Sequence, residues 1–126
     1  MMQTNSRIVA IVDDEVAVRE ATASLLRSAG LRVASFSSAE DFLAGASPDD
    51  FGCLIFDVNL PGMNGLQLQQ SLVHSACSVP VILITALDDA DGRIRAQAMQ
   101  QGARELLFKP FLEDDLLDAV RSALQG

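Results

Sequence analysis

CLIFDVNLPGMNG, running from Cys53 to Gly65, joins two kinds of sequence at a single carboxylate. Cys53, Leu54, Ile55 and Phe56 form an unbroken apolar run that stops at Asp57. A run without polar alternation suits a short strand buried on both faces. The stretch from Val58 to Asn64 carries Pro61 and Gly62, which mark a loop. A helix is then expected from about Gly65 to His74, with Leu66, Leu68 and Leu72 as its apolar residues. The unit is a buried strand, a loop and a helix, with an acid at the strand's exit.

The same unit recurs on either side. Upstream, Ile8 to Val12 is a continuous apolar run that ends at Asp13. Val16 to Ala29 follows with helical spacing, Val18, Ala21, Leu25 and Ala29 recurring at three or four residues, and Gly30 stops it. Arg32 to Phe36 reads as a strand. Ser38 caps the next helix with Asp41 three residues on, and Phe42, Leu43 and Ala46 are expected to face inward. Pro48, Asp49, Asp50 and Gly52 make a loop. Downstream, Val79 to Ile84 leads to Thr85 and Ala86. Asp88, Asp89 and Asp91 form a solvated loop and helix start, favoured by the helix dipole, and that helix ends near Gln101 before Gly102. Glu105 to Phe108 is a fifth short run, closed by Lys109 and Pro110, and Leu112 to Leu124 is a last amphipathic helix with Leu116, Leu117, Val120 and Leu124 on its stripe. Strict alternation predicts an α/β domain of βαβ units with a parallel sheet covered on both faces. Alternation alone leaves the strand order open.

The bulk properties agree. The 126 residues suit one domain, 1–126, with residues 1–6 as a flexible N-terminus, and 49 % hydrophobic content supplies a core. A net charge of −8 argues against direct grip on nucleic acid or an anionic membrane, and suits hard cations instead. No apolar run reaches the roughly 20 residues of a membrane helix. MMQTNSR carries no apolar segment of a secretory signal, so a cytoplasmic location is expected. Cys53 and Cys77 fit no metal or redox spacing, and Cys53 reads as a buried free thiol. His74 reads as a surface residue, and Met63 and Met99 as core or loop fillers.

In an open parallel sheet, ligands bind beyond the carboxyl ends of the strands. The residues there are Asp13 and Asp14, Asp57, Thr85 and Ala86, and Lys109 and Pro110. Three carboxylates close together repel unless a cation joins them, and one lysine offsets only one charge. Mg²⁺, which takes oxygen ligands, answers that need. A carboxylate can accept phosphate, and a metal with an ammonium can neutralise the phosphoryl oxygens.

At this point the chain resembles the receiver domains of two-component response regulators over essentially its whole length. The matching stretches are IVDDE from Ile11 to Glu15, DVNLPGMNG from Asp57 to Gly65, PVILITA from Pro80 to Ala86, and FKPF from Phe108 to Phe111. SFSSAEDFL, from Ser35 to Leu43, and the PF after Lys109 resemble the subclass with a downstream helix-turn-helix output domain. The resemblance implies a flavodoxin-like, doubly wound (βα)5 sheet of order 2-1-3-4-5. It implies that Asp57 accepts phosphate from the phosphohistidine of a sensor histidine kinase. Asp13, Asp14, Asp57 and the backbone carbonyl of Asn59 would hold Mg²⁺, with Mn²⁺ as a substitute. The side chain of Asn59 would tune dephosphorylation. Thr85 would hydrogen-bond the phosphoryl group, Ala86 would leave access to it, Lys109 would bind a phosphoryl oxygen, and the Lys109–Pro110 bond would be cis. Homodimerisation on activation and a C-terminal DNA-binding output domain outside these 126 residues are further implied partners. These residues would then be either a complete single-domain regulator or a piece of a longer transcription factor.

One position departs from the family pattern. Receiver domains usually carry Tyr or Phe three residues before the lysine, where this chain has Leu106. Strand alternation points Leu107 and Lys109 to one face, Leu106 and Phe108 to the other. A phosphorylation-independent interaction module is therefore a rival reading. A phosphatase of the haloacid dehalogenase type is another, but it needs a second Asp where Asn59 stands. Locally, Asp13 or Asp14 could merely cap the first helix, Asp57 could be a turn residue, Thr85 could cap the fourth helix, and Lys109 could be solvated.

Overall fold

The computed structural model describes residues 8–86 and 92–125. Among these residues, five strands alternate with five α-helices: β1 Ile8–Val12, α1 Val16–Ser28, β2 Arg32–Phe36, α2 Ala39–Gly45, β3 Cys53–Asp57, α3 Gly65–His74, β4 Val81–Thr85, α4 Arg93–Gln100, β5 Glu105–Phe108 and α5 Glu113–Gln125. A 3₁₀ turn, Pro48–Asp50, precedes β3. All pairings are parallel, in the order β2-β1-β3-β4-β5. The expectations for residues 1–6 and for Asp88, Asp89 and Asp91 fall outside the described residues.

The centre of the sheet is as apolar as its sequence. β3 and β4 are buried along their whole length. Alternate residues feed two separate cores, as period-two geometry requires. Ala10, Val12, Leu54, Phe56, Leu83 and Leu106 face α2, α3 and α4. Val9, Ile11, Ile55, Ile82 and Ile84 face α1 and α5. Phe42 anchors the first core through edge-on contacts with Phe36 and Phe56, at centroid distances of 5.2 and 5.6 Å.

Several local expectations shift. In α1 the buried residues are Thr22, Ala23 and Leu26, so the inward stripe lies one residue from the expected Val18–Ala21–Leu25–Ala29 row. Val18 and Leu25 flank it, half-buried, and Ala21 is exposed. The polar Thr22 occupying an inward position disguised the true stripe. In α2, Phe42 is fully buried whereas Leu43 is 38 % exposed, because one residue's rotation of 100° turns it off the core. Met99 is likewise exposed, and Met63 is half-buried against the first core. β4 begins at Val81 rather than Val79, after Pro80, whose carbonyl accepts from Leu54 N–H at 2.9 Å. The strand also takes in Thr85.

Helix ends follow their chemistry. Ser38 accepts from Asp41 N–H at the start of α2, and Asn64 and Gln67 form a reciprocal capping box at α3. Each helix returns along the sheet, so α5 ends beside the start of β5. There the Arg104 guanidinium donates to the Ser122 carbonyl at 2.9 Å. No helix among the described residues is long and apolar enough to cross a membrane.

Candidate functional site

The carboxyl ends of β1, β3, β4 and β5 gather Asp13, Asp14, Asp57, Thr85 and Lys109 at one edge of the sheet. Asp57 ends β3 and is buried, and Asp13 follows β1 directly and is also buried. Asp14 is exposed. Carboxylate oxygens of Asp13, Asp14 and Asp57 lie within 4.8 Å of one another. Lys109 follows β5 and reaches back over the site. Its Nζ is 2.9 Å from Asp57 Oδ2 and 3.6 Å from Asp13 Oδ2.

Backbone donors orient the acids. Asn59 N–H donates to Asp57 Oδ1 at 2.9 Å, and Glu15 N–H donates to Asp13 Oδ1 at 2.9 Å. Neither Asp13 nor Asp14 caps α1, since the N-cap residue is Glu15. The Arg19 guanidinium donates to the Asp13 carbonyl at 2.7 Å and fixes the β1 exit. Asp57 thus has one oxygen held by a backbone amide and the other by an ammonium, the arrangement of a positioned group rather than a turn residue. Lys109 is correspondingly not a solvated lysine.

Electrostatics expose a conflict at this edge. Burial pushes the Asp13 carboxyl above its usual range, the hydrogen bond from Glu15 pulls it down, and the charge of Asp57 adds to the rise. For Lys109, burial alone would lower the ammonium's pKa. Its hydrogen bond to Asp57 and the charges of Asp13 and Asp57 outweigh that and hold it above its ordinary value. Clustered hard oxygen donors, two of them on buried carboxylates, fit a small divalent cation.

Thr85 closes β4, fully buried, with its carbonyl accepting from Lys109 N–H at 2.8 Å. Ala86 follows and is exposed. The Lys109–Pro110 bond is cis. Asn59 is exposed, and its described contact with the site is through its N–H. Leu106 is buried in the core facing α3 and α4, while Phe108 is half-buried beneath the Arg95 guanidinium, 5.7 Å from the ring centroid. Strand alternation therefore separates Leu106 and Phe108 from Leu107, which packs in the other core.

Three contributors were not legible as such. Glu15 Oε1 lies 3.3 Å from Lys109 Nζ, a further carboxylate in the cluster. Its place right after two aspartates was the available signal. Gly65 packs so closely that a Cβ there would collide with the Asp57 carbonyl oxygen, and its N–H donates to the Val58 carbonyl. Glu40 Oε2 accepts from Met63 N–H at 2.9 Å and ties the loop after β3 to α2. At Gly62, with φ of +71°, a Cβ would come within 2.8 Å of that same oxygen.

Residues 9–121 match the model of the response regulator receiver domain family. The chain is 42 % identical over 120 residues to the transcriptional regulatory protein TdiR of Thauera aromatica, covering 95 % of this chain and 52 % of that protein. It is 43 % identical over 124 residues to the response regulator protein TmoT of Ectopseudomonas mendocina, covering 98 % and 56 %. The crystal structure of FixJ-N superposes with a TM-score of 0.86 at 33 % identity, covering 98 % of this chain and 97 % of that one. The chain spans about half the length of the curated relatives it matches.

Proposed function

The chain belongs to the response regulator receiver domain family, and from that premise we propose that Asp57 is the phosphoacceptor of a two-component switch. The observation that carries this is the buried Asp57, held at one oxygen by Lys109 Nζ at 2.9 Å and at the other by Asn59 N–H at 2.9 Å. In the reaction, an Asp57 carboxylate oxygen attacks the phosphorus of a sensor kinase's phosphohistidine. The P–N bond breaks, its electron pair stays on the imidazole, and an acyl phosphate forms on Asp57. Lys109 neutralises charge on the transferred group.

Asp13, Asp14, Asp57 and the backbone carbonyl of Asn59 would hold Mg²⁺, or Mn²⁺ in its place. The bound cation supplies charge neutralisation for an otherwise repelling cluster and for the phosphoryl oxygens. Thr85, at the end of β4, would then hydrogen-bond the phosphoryl group, with Ala86 leaving room for it. That movement would bias the face of α4, β5 and α5. Turnover is confined to self-phosphorylation and slow self-dephosphorylation, so the domain is a signalling acceptor rather than a general catalyst. We place it in the cytoplasm, governing homodimerisation or a DNA-binding output domain in a transcription regulator. This domain itself would not grip nucleic acid.

A phosphorylation-independent interaction module is the second reading. Its support is Leu106, buried in the core where the family usually has a rotating aromatic ring. Intact-mass measurement after incubation with acetyl phosphate and Mg²⁺ separates the two. A single acid-stable, base-labile phosphate that needs Mg²⁺ and vanishes in Asp57→Asn is expected. No adduct, together with no binding of beryllofluoride, would give the interaction module precedence.

A further inference from the structure

Glu40 stands on the outer side of the first turn of α2, exposed, while Ala39 and Phe42 on the inner side are fully buried. That turn is fixed at its start. Ser38 Oγ accepts from Asp41 N–H at 3.0 Å, and Asp41 Oδ2 accepts from Ser37 Oγ at 3.0 Å. An exposed carboxylate there is ordinarily solvated, with the helix dipole as sufficient reason for its presence. Glu40 instead crosses to the loop after β3, where Oε2 accepts from Met63 N–H at 2.9 Å.

The loop is shaped to receive it. Gly62 carries no side chain, and a Cβ built there would lie 2.8 Å from Glu40 Oε2. The bond from Met63 N–H, then the one from its own N–H, hold the Glu40 carboxyl below its usual range. The acceptor is thus charged, and a charge-assisted bond to a backbone N–H is stronger than a neutral one.

What Glu40 holds is the stretch that bears on Asp57. The loop leaves β3 anchored at Val58, whose N–H donates to the Ile84 carbonyl at 2.8 Å and whose carbonyl accepts from Gly65 N–H at 3.2 Å. Between Val58 and Met63 lie Asn59, Leu60, Pro61 and Gly62, of which only Leu60 is buried. Asn59 supplies the N–H on Asp57 Oδ1 and, in the reading above, a carbonyl for the cation. Fixed points on both sides limit how the Asn59–Leu60 peptide can turn, and that carbonyl with it.

We propose that Glu40 is a positioning residue for the cation site, holding the loop after β3 through Met63 so that the Asn59 carbonyl is pre-set for Mg²⁺. The inference rests on the cation-assisted phosphoacceptor reading of Asp57. Glu40 acts through the loop, by sparing the rearrangement that binding would otherwise require.

Mg²⁺ titration of the full chain at constant ionic strength, followed by amide NMR, tests this with substitutions at Glu40. Glu40→Gln keeps the reach and an acceptor oxygen but drops the charge. Glu40→Asp keeps the charge at the head of α2 but draws the carboxylate back from Met63 by one methylene. Glu40→Ala lacks both. Mg²⁺ should bind about tenfold more weakly to Glu40→Ala and Glu40→Asp, and within about twofold of wild type to Glu40→Gln. In the metal-free spectra the Met63 and Asn59 amides should be displaced in the two weak variants and near their wild-type positions in Glu40→Gln. The reverse order, with Glu40→Asp near wild type and Glu40→Gln weak, would show Glu40 acting as a negative charge alone and would overturn the proposal. Unchanged affinity in all the variants, or weakened affinity with the Asn59 amide unmoved, would overturn it too. If Glu40→Ala does not fold, the contrast between Glu40→Asp and Glu40→Gln decides. A wild-type chain that takes up no Mg²⁺ would instead sink the reading of the site, and the positioning role with it.

Discussion

Lys109 lies within 3.6 Å of carboxylate oxygens from Asp13, Glu15 and Asp57, and its ammonium cannot neutralise all of them. Asp13 is where the conflict is legible. Its folded pKa is raised, chiefly by burial, so the stability it contributes is present below its unfolded pKa and is lost as pH rises through the folded one. Ionising Asp13 therefore works against the cation-free fold. Asp13→Asn should raise the thermal midpoint in EDTA and abolish most of the rise that Mg²⁺ produces in the wild type. A wild-type midpoint indifferent to Mg²⁺ would contradict this. Cys53 offers a second residue-scale check, since burial pushes its thiol from an ordinary 9.0 up to about 12. The unfolded chain loses this proton first, so between those values folding stability should fall by up to about 1.4 kcal/mol per pH unit. Urea titrations across that window should show a shallower fall in Cys53→Ala. Of the acids, Asp13, Asp14 and Asp57 were legible because each follows an apolar strand. Glu15 was not, since an acid just before a helix has an ordinary reason to be there.

At the scale of the element, α3 shows how local chemistry places a distant group. Its Asn64–Gln67 capping box fixes where the helix starts, and Gly65 lets that start press against the backbone of Asp57. Asn64→Ala should cost about 1 kcal/mol in urea unfolding while leaving phosphorylation at Asp57 intact. Gly65→Ala should cost about 2 kcal/mol, because the new methyl has backbone rather than a flexible side chain to displace, and it should also slow phosphorylation. Equal effects of the two on phosphorylation would contradict that division. Element boundaries were legible wherever a cap or glycine marks them, as at Ser38, Gly30 and Gly102. The inward face of α1 was not, because Thr22 sits where an apolar residue was sought. Nor could Gln69, which is buried, be told from the exposed Gln67 and Gln70, since identical side chains in one helix differ only in which way the turn points them.

For the whole molecule, charge is the governing property. With a net charge of −8, monovalent salt should stabilise the fold modestly by screening, and about equally in wild type and Asp13→Asn. Mg²⁺ at matched ionic strength should separate the two proteins in thermal unfolding. Identical responses would mean that the cation acts by general screening alone. The alternation of strands and helices made the parallel sheet legible, but the order 2-1-3-4-5 came only from resemblance. Hydrophobic runs record that a strand is buried, not which strand lies beside it. The bond from Arg104 to Ser122 shows where α5 finishes, at the pole opposite Asp57. A surface tether, dye or reporter attached after Gln125 would stand clear of the acidic edge. The same domain could then be anchored on a sensor chip with its chemistry still facing the flow.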